Sequence, residues 1–173
     1  QRQMCIRDRD SCPGGIMQNI GSTARIDAVI TWVDGGDPLH HAKRQQYQTA
    51  SRHGTNATNP HRWACNDELS YCLRSIANHA PWIGRIWIVT DAQTPDLSRL
   101  PRTLTDRITI VDHLTVFAGH EDVLPTFNSL AIETLLWRIP GLAERFVYFN
   151  DDVFLTGPLS PGDLFCGDAP VLR

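Results

Sequence analysis

No uninterrupted apolar run in this 173-residue chain approaches the roughly 20 residues that a membrane-spanning helix needs. Nor does a charged-then-apolar leader with a cleavage site open it, so the expectation is a soluble cytoplasmic protein. A basic excess is missing too. Sixteen Lys and Arg stand against 19 Asp and Glu, mixed along the chain for a net charge of −3, and the electrostatic footprint of a nucleic-acid binder is absent. Cysteine is sparse and unpatterned. Cys5, Cys12, Cys65, Cys72 and Cys166 are odd in number, with no Cys-x-x-Cys pair and no His at zinc-finger spacing. That excludes a disulfide scaffold and disfavours structural zinc, and the thiols are read as reduced. What is present, 42% hydrophobic and 20% charged residues, fits one globular domain with a real core.

The most informative stretch is Phe146–Leu155, Phe-Val-Tyr-Phe-Asn-Asp-Asp-Val-Phe-Leu. Its pattern predicts a buried strand that ends in an acidic turn at Asn150-Asp151-Asp152 and then resumes. Two carboxylates at the mouth of a core strand repel each other and lose solvation, so such a pair usually recruits a cation, a basic side chain or several N–H donors. A hard cation bridging them to a substrate diphosphate is one reading. Acidic residues that merely form a turn are the other. Side chains alternate along a strand, so Asn150 and Asp152 should face one side and Asp151 the other unless the turn has begun; Asp152 is the first choice of metal ligand and Asp151 the second.

Upstream, residues 1–23 show no apolar period and read as a disordered lead, with Met4–Arg9 resembling translated adapter sequence and Met17 a plausible start. The domain proper is assigned to residues 24–173. Ile26–Val33 is β-branched and stops at Asp34-Gly35-Gly36-Asp37-Pro38, a strand entering a loop. The glycines allow close backbone approach to a ligand, and Trp32 could offer it a flat face or simply fill the core. His40–Ser51 has helical propensity, with Lys43 and Arg44 available to phosphate or to solvent; Arg52–Ala64 reads as loop. An amphipathic helix opens at Asn66-Asp67-Glu68 and carries Leu69, Leu73, Ile76, Ala77 and Ala80 inward, with Asn66 as its N-cap and Arg74 further along. Capping alone would explain those acids.

Strands follow at Arg85–Thr90, with Asp91 and Gln93 at its exit, and at Ile108–Val111, ending in Asp112 and His113. A helix over Ser129–Trp137, capped by Asn128 or Ser129, should place Leu130, Leu135, Leu136 and Ile139 inward. The alternation of strands and helices predicts a layered α/β fold. If the strands are parallel neighbours, Asp34, Asp91 and Asp151-Asp152 share one edge of the sheet, where nucleotide diphosphates and metals bind in such folds.

Read together, Ile26–Gly35 (IDAVITWVDG), Asn66–Leu69, Leu73–Ile76, Pro81–Ile83, Ile88–Asp91, Leu124–Ser129 and Asn150–Val153 closely resemble the Stealth proteins, hexose-1-phosphate transferases of bacterial capsule and exopolysaccharide synthesis related to the lysosomal N-acetylglucosamine-1-phosphotransferase catalytic subunit. The resemblance runs from about Arg25 to the C-terminus. It implies a mostly parallel nucleotide-diphospho-sugar (Rossmann-like) domain, seen incompletely here, and transfer of a sugar 1-phosphate from a UDP-sugar to a glycan hydroxyl with release of UMP, using Mg²⁺ or Mn²⁺. By the same resemblance Trp32, Asp34 and Gly35 would line the donor site with Asn66, Asp67, Glu68 and Arg74, while Asp151 and Asp152 would form the metal and reaction centre. Two further family regions that supply His and Arg residues are not matched, which points either to a fragment of a longer enzyme, the preferred reading, or to a domain that binds donor without full activity; His113 is a substitute by position only. The rival readings are a metal-dependent glycosyltransferase that releases UDP and a non-catalytic nucleotide-sugar-binding fragment. Peripheral attachment to a membrane-bound glycan assembly is compatible with either enzyme.

Overall fold

The structure, a computed structural model, describes residues 25–48, 66–166 and 169–171. The lead over 1–23, the loop over Arg52–Ala64 and Cys65 lie outside the described residues. Within the unit Ala24–Leu159, β1 (Ile26–Thr31), β2 (Ile86–Thr90), β3 (Ile108–Asp112) and β4 (Arg145–Asn150) form one sheet in the order β3-β2-β1-β4. Every neighbouring pair is parallel. This is the opening order of a doubly wound fold, in which successive connections leave in opposite directions on either side of β1. The crevice between the ends of β1 and β4 is therefore the topological switch point.

Parallel strands buried on both faces read as continuous apolar runs, as IDAVIT and IWIVT do. Alternation then divides them. Ala28, Ile30, Ile86 and Ile88 point to a cluster with Leu69, Leu73 and Ile76 of α2 (Glu68–His79), whereas Val29, Trp87, Val89 and Val111 point to one with Val116, Phe117, Ile132, Leu136 and Ile139. Full burial of a side chain such as Leu73 or Ile76 contributes about 1.5–3 kcal/mol. Asp27, fully buried, pins the opposite end of the sheet. Its carboxylate accepts from Trp87 Nε1 at 2.9 Å and from the N–H groups of Arg85 and Ala143 at 3.0 Å each, and pairs with Arg25 at 2.9 Å.

Helix α1 (Pro38–Gln48) begins two residues before the expected His40, because Pro38 suits the first helical position and Asp37 Oδ1 caps the Leu39 N–H at 2.8 Å. The N-cap position of helix α2 is Asp67, not Asn66; Asp67 takes the left-handed conformation at φ 66° and its side chain caps no helix N–H. Short helices α3 (Arg102–Thr105) and α4 (His113–Val116) bracket β3. The expected helix over Ser129–Trp137 is shorter. Helix α5 spans Ser129–Glu133, and a 3-10 turn covers Leu136–Arg138. Asn128 caps α5 through its Oδ1, and Ile132 rather than Leu130 is the buried residue. The expected resumption of the strand after the acidic turn does not occur: β4 ends at Asn150, and Val153 to Pro158 run outside any strand. Beyond Leu159, a separate unit carries α6 (Pro161–Leu164) and the antiparallel pair β5 (Phe165–Cys166) and β6 (Ala169–Pro170).

Candidate active site at the C-terminal edge of the sheet

The parallel registers bring the exits of β1, β2, β3 and β4 to one edge. Thr31 lies opposite Asn150 and Thr90 opposite Asp112. Asp34, Asp91, Asp112 and the Asp151-Asp152 pair therefore gather at the C-terminal end of the sheet, as the sequence predicts.

Exposure alternates through the acidic turn, with Asn150 exposed, Asp151 half-buried and Asp152 exposed. The side chain of Asn150 belongs to the β1–β4 crevice. Tyr148 donates to Asn150 Oδ1 at 2.7 Å, meets Thr31 Oγ1 at 2.8 Å and lies 3.2 Å from Glu133 Oε1. Burial, with the neighbouring Glu133, pushes the Tyr148 phenol up to about 12. Burial first, then the charges of Asp152 and Glu68, push the Asp151 carboxyl up to about 6, offset only in part by the N–H groups of Asp151 and Asp152. Cys72, buried on α2 with its Sγ 3.9 Å from the Asn150 carbonyl, is pushed up to about 12 by burial and by both carboxylates. It is an inert thiol that packs under the turn.

The second motif divides between two faces of α2. Glu68 is held by Asn66, whose N–H and Nδ2 donate to its carboxylate at 2.6 and 2.9 Å, and it shares the Cys72 face with the acidic turn. At about 100° per residue, Asp67, Ser70 and Arg74 point elsewhere. Asp67 accepts from Ser70 Oγ at 2.6 Å and lies 3.7 Å from Arg99, while exposed Arg74 donates to the Arg99 carbonyl at 3.1 Å. Of the four residues, Glu68 is the one whose charge reaches the acidic pair, and Asn66 holds it. The left-handed Asp67 between them lets the chain turn from Asn66 into the helix, a conformation that Asp tolerates better than most residues.

At the β1 exit, Asp34 is fixed from β2. Gln93 accepts from the Asp34 N–H at 2.9 Å and donates to the Asp34 and Asp37 oxygens at 3.0 Å each. The Asp34 carboxylate closes the turn onto the Gly36 N–H at 2.8 Å, and Gly35 is buried. Trp32 is 8% exposed and belongs to the α2 core cluster. Lys43 donates to both Asp91 oxygens at 2.8 Å, and Arg44 is buried instead of solvating a surface face. His113 is 3% exposed, packs against Phe117 and is held below the ordinary imidazole range by burial.

Gln93 was placed at a strand exit by the sequence reading, without its role as the clamp on Asp34; Tyr148 and the packing of Cys72 under the turn were not foreseen, and the alternation of Tyr148 with Asn150 is a signal that could have found the first. Among the described residues no group of three or more His, Cys, Asp or Glu side chains forms a metal cage, and no helix is long and apolar enough to cross a membrane.

Comparison with known proteins matches the chain to Stealth protein CR1, conserved region 1, over residues 24–52 and to Stealth protein CR2, conserved region 2, over residues 62–170. Among curated proteins it is 38% identical over 148 residues to the receptor polysaccharide phosphotransferase WefC of Streptococcus oralis, covering 83% of this chain and 42% of that protein. It is 40% identical over 168 residues to the exopolysaccharide phosphotransferase SCO6023 of Streptomyces coelicolor, covering 95% and 27%. The capsular polysaccharide phosphotransferase cps12A of Actinobacillus pleuropneumoniae is 40% identical over 152 residues, covering 87% and 40%. The chain thus spans well under half the length of these relatives. With region 2 alone covering more than half of it, the chain belongs to the Stealth family.

Proposed function

We propose that the chain builds the donor side of an enzyme that transfers a sugar 1-phosphate from a UDP-sugar, such as UDP-N-acetylglucosamine, to a hydroxyl of a growing glycan. The reading rests on one observation above others. At the switch point of the sheet, half-buried Asp151 stands beside Asp152 and feels the charge of Glu68, at the edge where an α/β fold binds nucleotides. The donor set suits Mg²⁺ or Mn²⁺. Both take oxygen ligands, and Mg²⁺ is commonly held by one or two carboxylates plus substrate phosphate and water, which needs no larger cage. Asp151 and Asp152 would hold it. When bound, the cation would neutralise charge on the diphosphate.

In the reaction the acceptor oxygen attacks the phosphorus next to the sugar, the bond from that phosphorus to the bridging oxygen breaks, and UMP leaves. The chain's own residues contribute position. Gln93 fixes the Asp34-Gly35 turn, which lines the donor, and Asn66 holds Glu68. Arg74 and Asp67, held through Arg99 on the other face of α2, stand apart from the acidic pair. The relatives' names, capsular and exopolysaccharide phosphotransferases, support a glycan acceptor.

The product nucleotide tests the reading. The chain, joined to the remaining family regions of a full-length relative, is incubated with UDP-N-acetylglucosamine, Mg²⁺ and a capsular oligosaccharide, and nucleotides are separated by ion exchange. UMP is expected. UDP would replace the proposal with a glycosyltransferase, and donor binding with neither product would make the chain a binding module.

A further inference from the structure

Val153 and Phe154 follow the acidic turn with the composition of a core strand, yet each is 44% exposed. Tyr71, 61% exposed on α2, meets Phe154 with ring centroids 6.3 Å apart and planes inclined at 64°. Two aromatic rings left in water forfeit the stabilisation of burial, and a contiguous exposed apolar patch marks a binding surface. The position is specific. Tyr71 adjoins Cys72, whose thiol feels both carboxylates, and Phe154 lies two residues beyond Asp152. The backbone beneath is fixed: the Val153 N–H donates to the Asn150 carbonyl at 3.1 Å and the Leu155 N–H to Ser75 Oγ at 3.0 Å, while that hydroxyl donates to the Cys72 carbonyl at 2.7 Å. A rigid aromatic corner beside a reaction centre is preorganised for a ligand.

We infer that Tyr71 and Phe154 form a stacking platform for a pyranose ring of the acceptor glycan, which rests on the sugar-phosphate transfer proposed above. A pyranose presents an apolar C–H face and a rim of hydroxyls, so two inclined rings can take the face while hydroxyls reach water or the exposed Asp152 carboxylate. Charge separates this ligand from a phosphate. Asp151, Asp152 and Glu68 make the neighbourhood negative, which a neutral sugar tolerates and an anion without a cation does not. Seated there, the glycan would hold a hydroxyl beside the acidic pair.

Ring signals of Tyr71 and Phe154 in the isotopically labelled chain would be followed by NMR during titration with neutral oligosaccharides of glucose, galactose, mannose and N-acetylglucosamine. A parallel titration uses UDP with Mg²⁺. At least one oligosaccharide is expected to shift both rings to saturation, and Tyr71→Ala or Phe154→Ala to raise its Kd roughly 5-fold or more, the low end of what an aromatic stacking contact contributes. Unchanged melting temperatures would show that both variants fold. UDP should shift the Asp34 and Gly35 amides and leave the two rings in place. The platform is overturned if no oligosaccharide moves the rings, if UDP moves them instead, or if they shift with protein concentration alone, as a second copy covering the patch would cause. Sugar shifts without any UDP response would support the platform and count against the donor reading.

Discussion

Replacing Asp151 by Asn keeps the size of the side chain and removes a charge that burial, Asp152 and Glu68 all penalise. In the folded chain the Asp151 carboxyl titrates at about 6 against an ordinary 3.8. At 1.36 kcal/mol per pH unit, the gap corresponds to about 3 kcal/mol. Partial solvent screening at a half-buried site reduces this to about 2 kcal/mol. The sign follows from proton binding. The folded chain holds this proton more tightly than the unfolded chain, so the group favours folding most below pH ~4, and its contribution falls as pH rises to about 6. Asn is neutral throughout. Asp151→Asn should therefore match the wild type near pH 4 and exceed it by about 2 kcal/mol above pH ~7, which is about 4–8 °C in melting temperature for a chain of this size. Thermal unfolding in EDTA at several pH values checks this. A variant less stable than wild type at pH ~8, or an offset independent of pH, would refute the electrostatic account of the acidic turn.

Asp27 has the opposite sign. Burial opposes its charge, but the hydrogen bonds from Trp87, Arg85 and Ala143 and the Arg25 guanidinium outweigh it and hold the carboxyl below its ordinary value. Its contribution is present above pH ~4 and lost as pH falls through the folded value. Asp27→Asn should cost about 3–5 kcal/mol at neutral pH in urea unfolding, because an amide turns donors toward donors. Trp32→Ala should cost about 3–5 kcal/mol, with donor affinity unchanged once corrected for the folded fraction; a selective loss of affinity would place the ring against the ligand. Gln93→Ala removes the clamp on Asp34 and should weaken UDP-sugar binding roughly tenfold in calorimetry and lower the melting temperature by about 3–6 °C, since about 1.4 kcal/mol per hydrogen-bonded clamp is ordinary.

Periodicity was enough to read β1, β2 and α2, because a strand buried on both faces and a helix with Leu69, Leu73 and Ile76 on one stripe leave few alternatives. The gathering of Asp34, Asp91 and Asp151-Asp152 at one edge followed from parallel pairing alone. Local patterns failed where tertiary context decides. Leu130 fits the helical period but lies outward, because α5 ends after Glu133 and Ile132 takes the inward place. Val153 and Phe154 look like strand residues, yet Asp151-Asp152 turns the chain out of the sheet. The division of Asn66, Asp67, Glu68 and Arg74 between two faces was computable from helical geometry once the start of α2 was known. The left-handed Asp67 hid that start, since a cap at Asn66 rotates the whole assignment by one residue.

The central claim is that Asp151 and Asp152 hold a cation for a nucleotide-sugar donor. Its most direct test is calorimetric titration of UDP-N-acetylglucosamine into the wild-type chain and Asp152→Ala, each with Mg²⁺ and with EDTA. The account predicts binding by the wild type that requires Mg²⁺ and disappears in Asp152→Ala while the variant stays folded. Donor binding of equal strength in EDTA, or an unaltered metal response in Asp152→Ala, would contradict it.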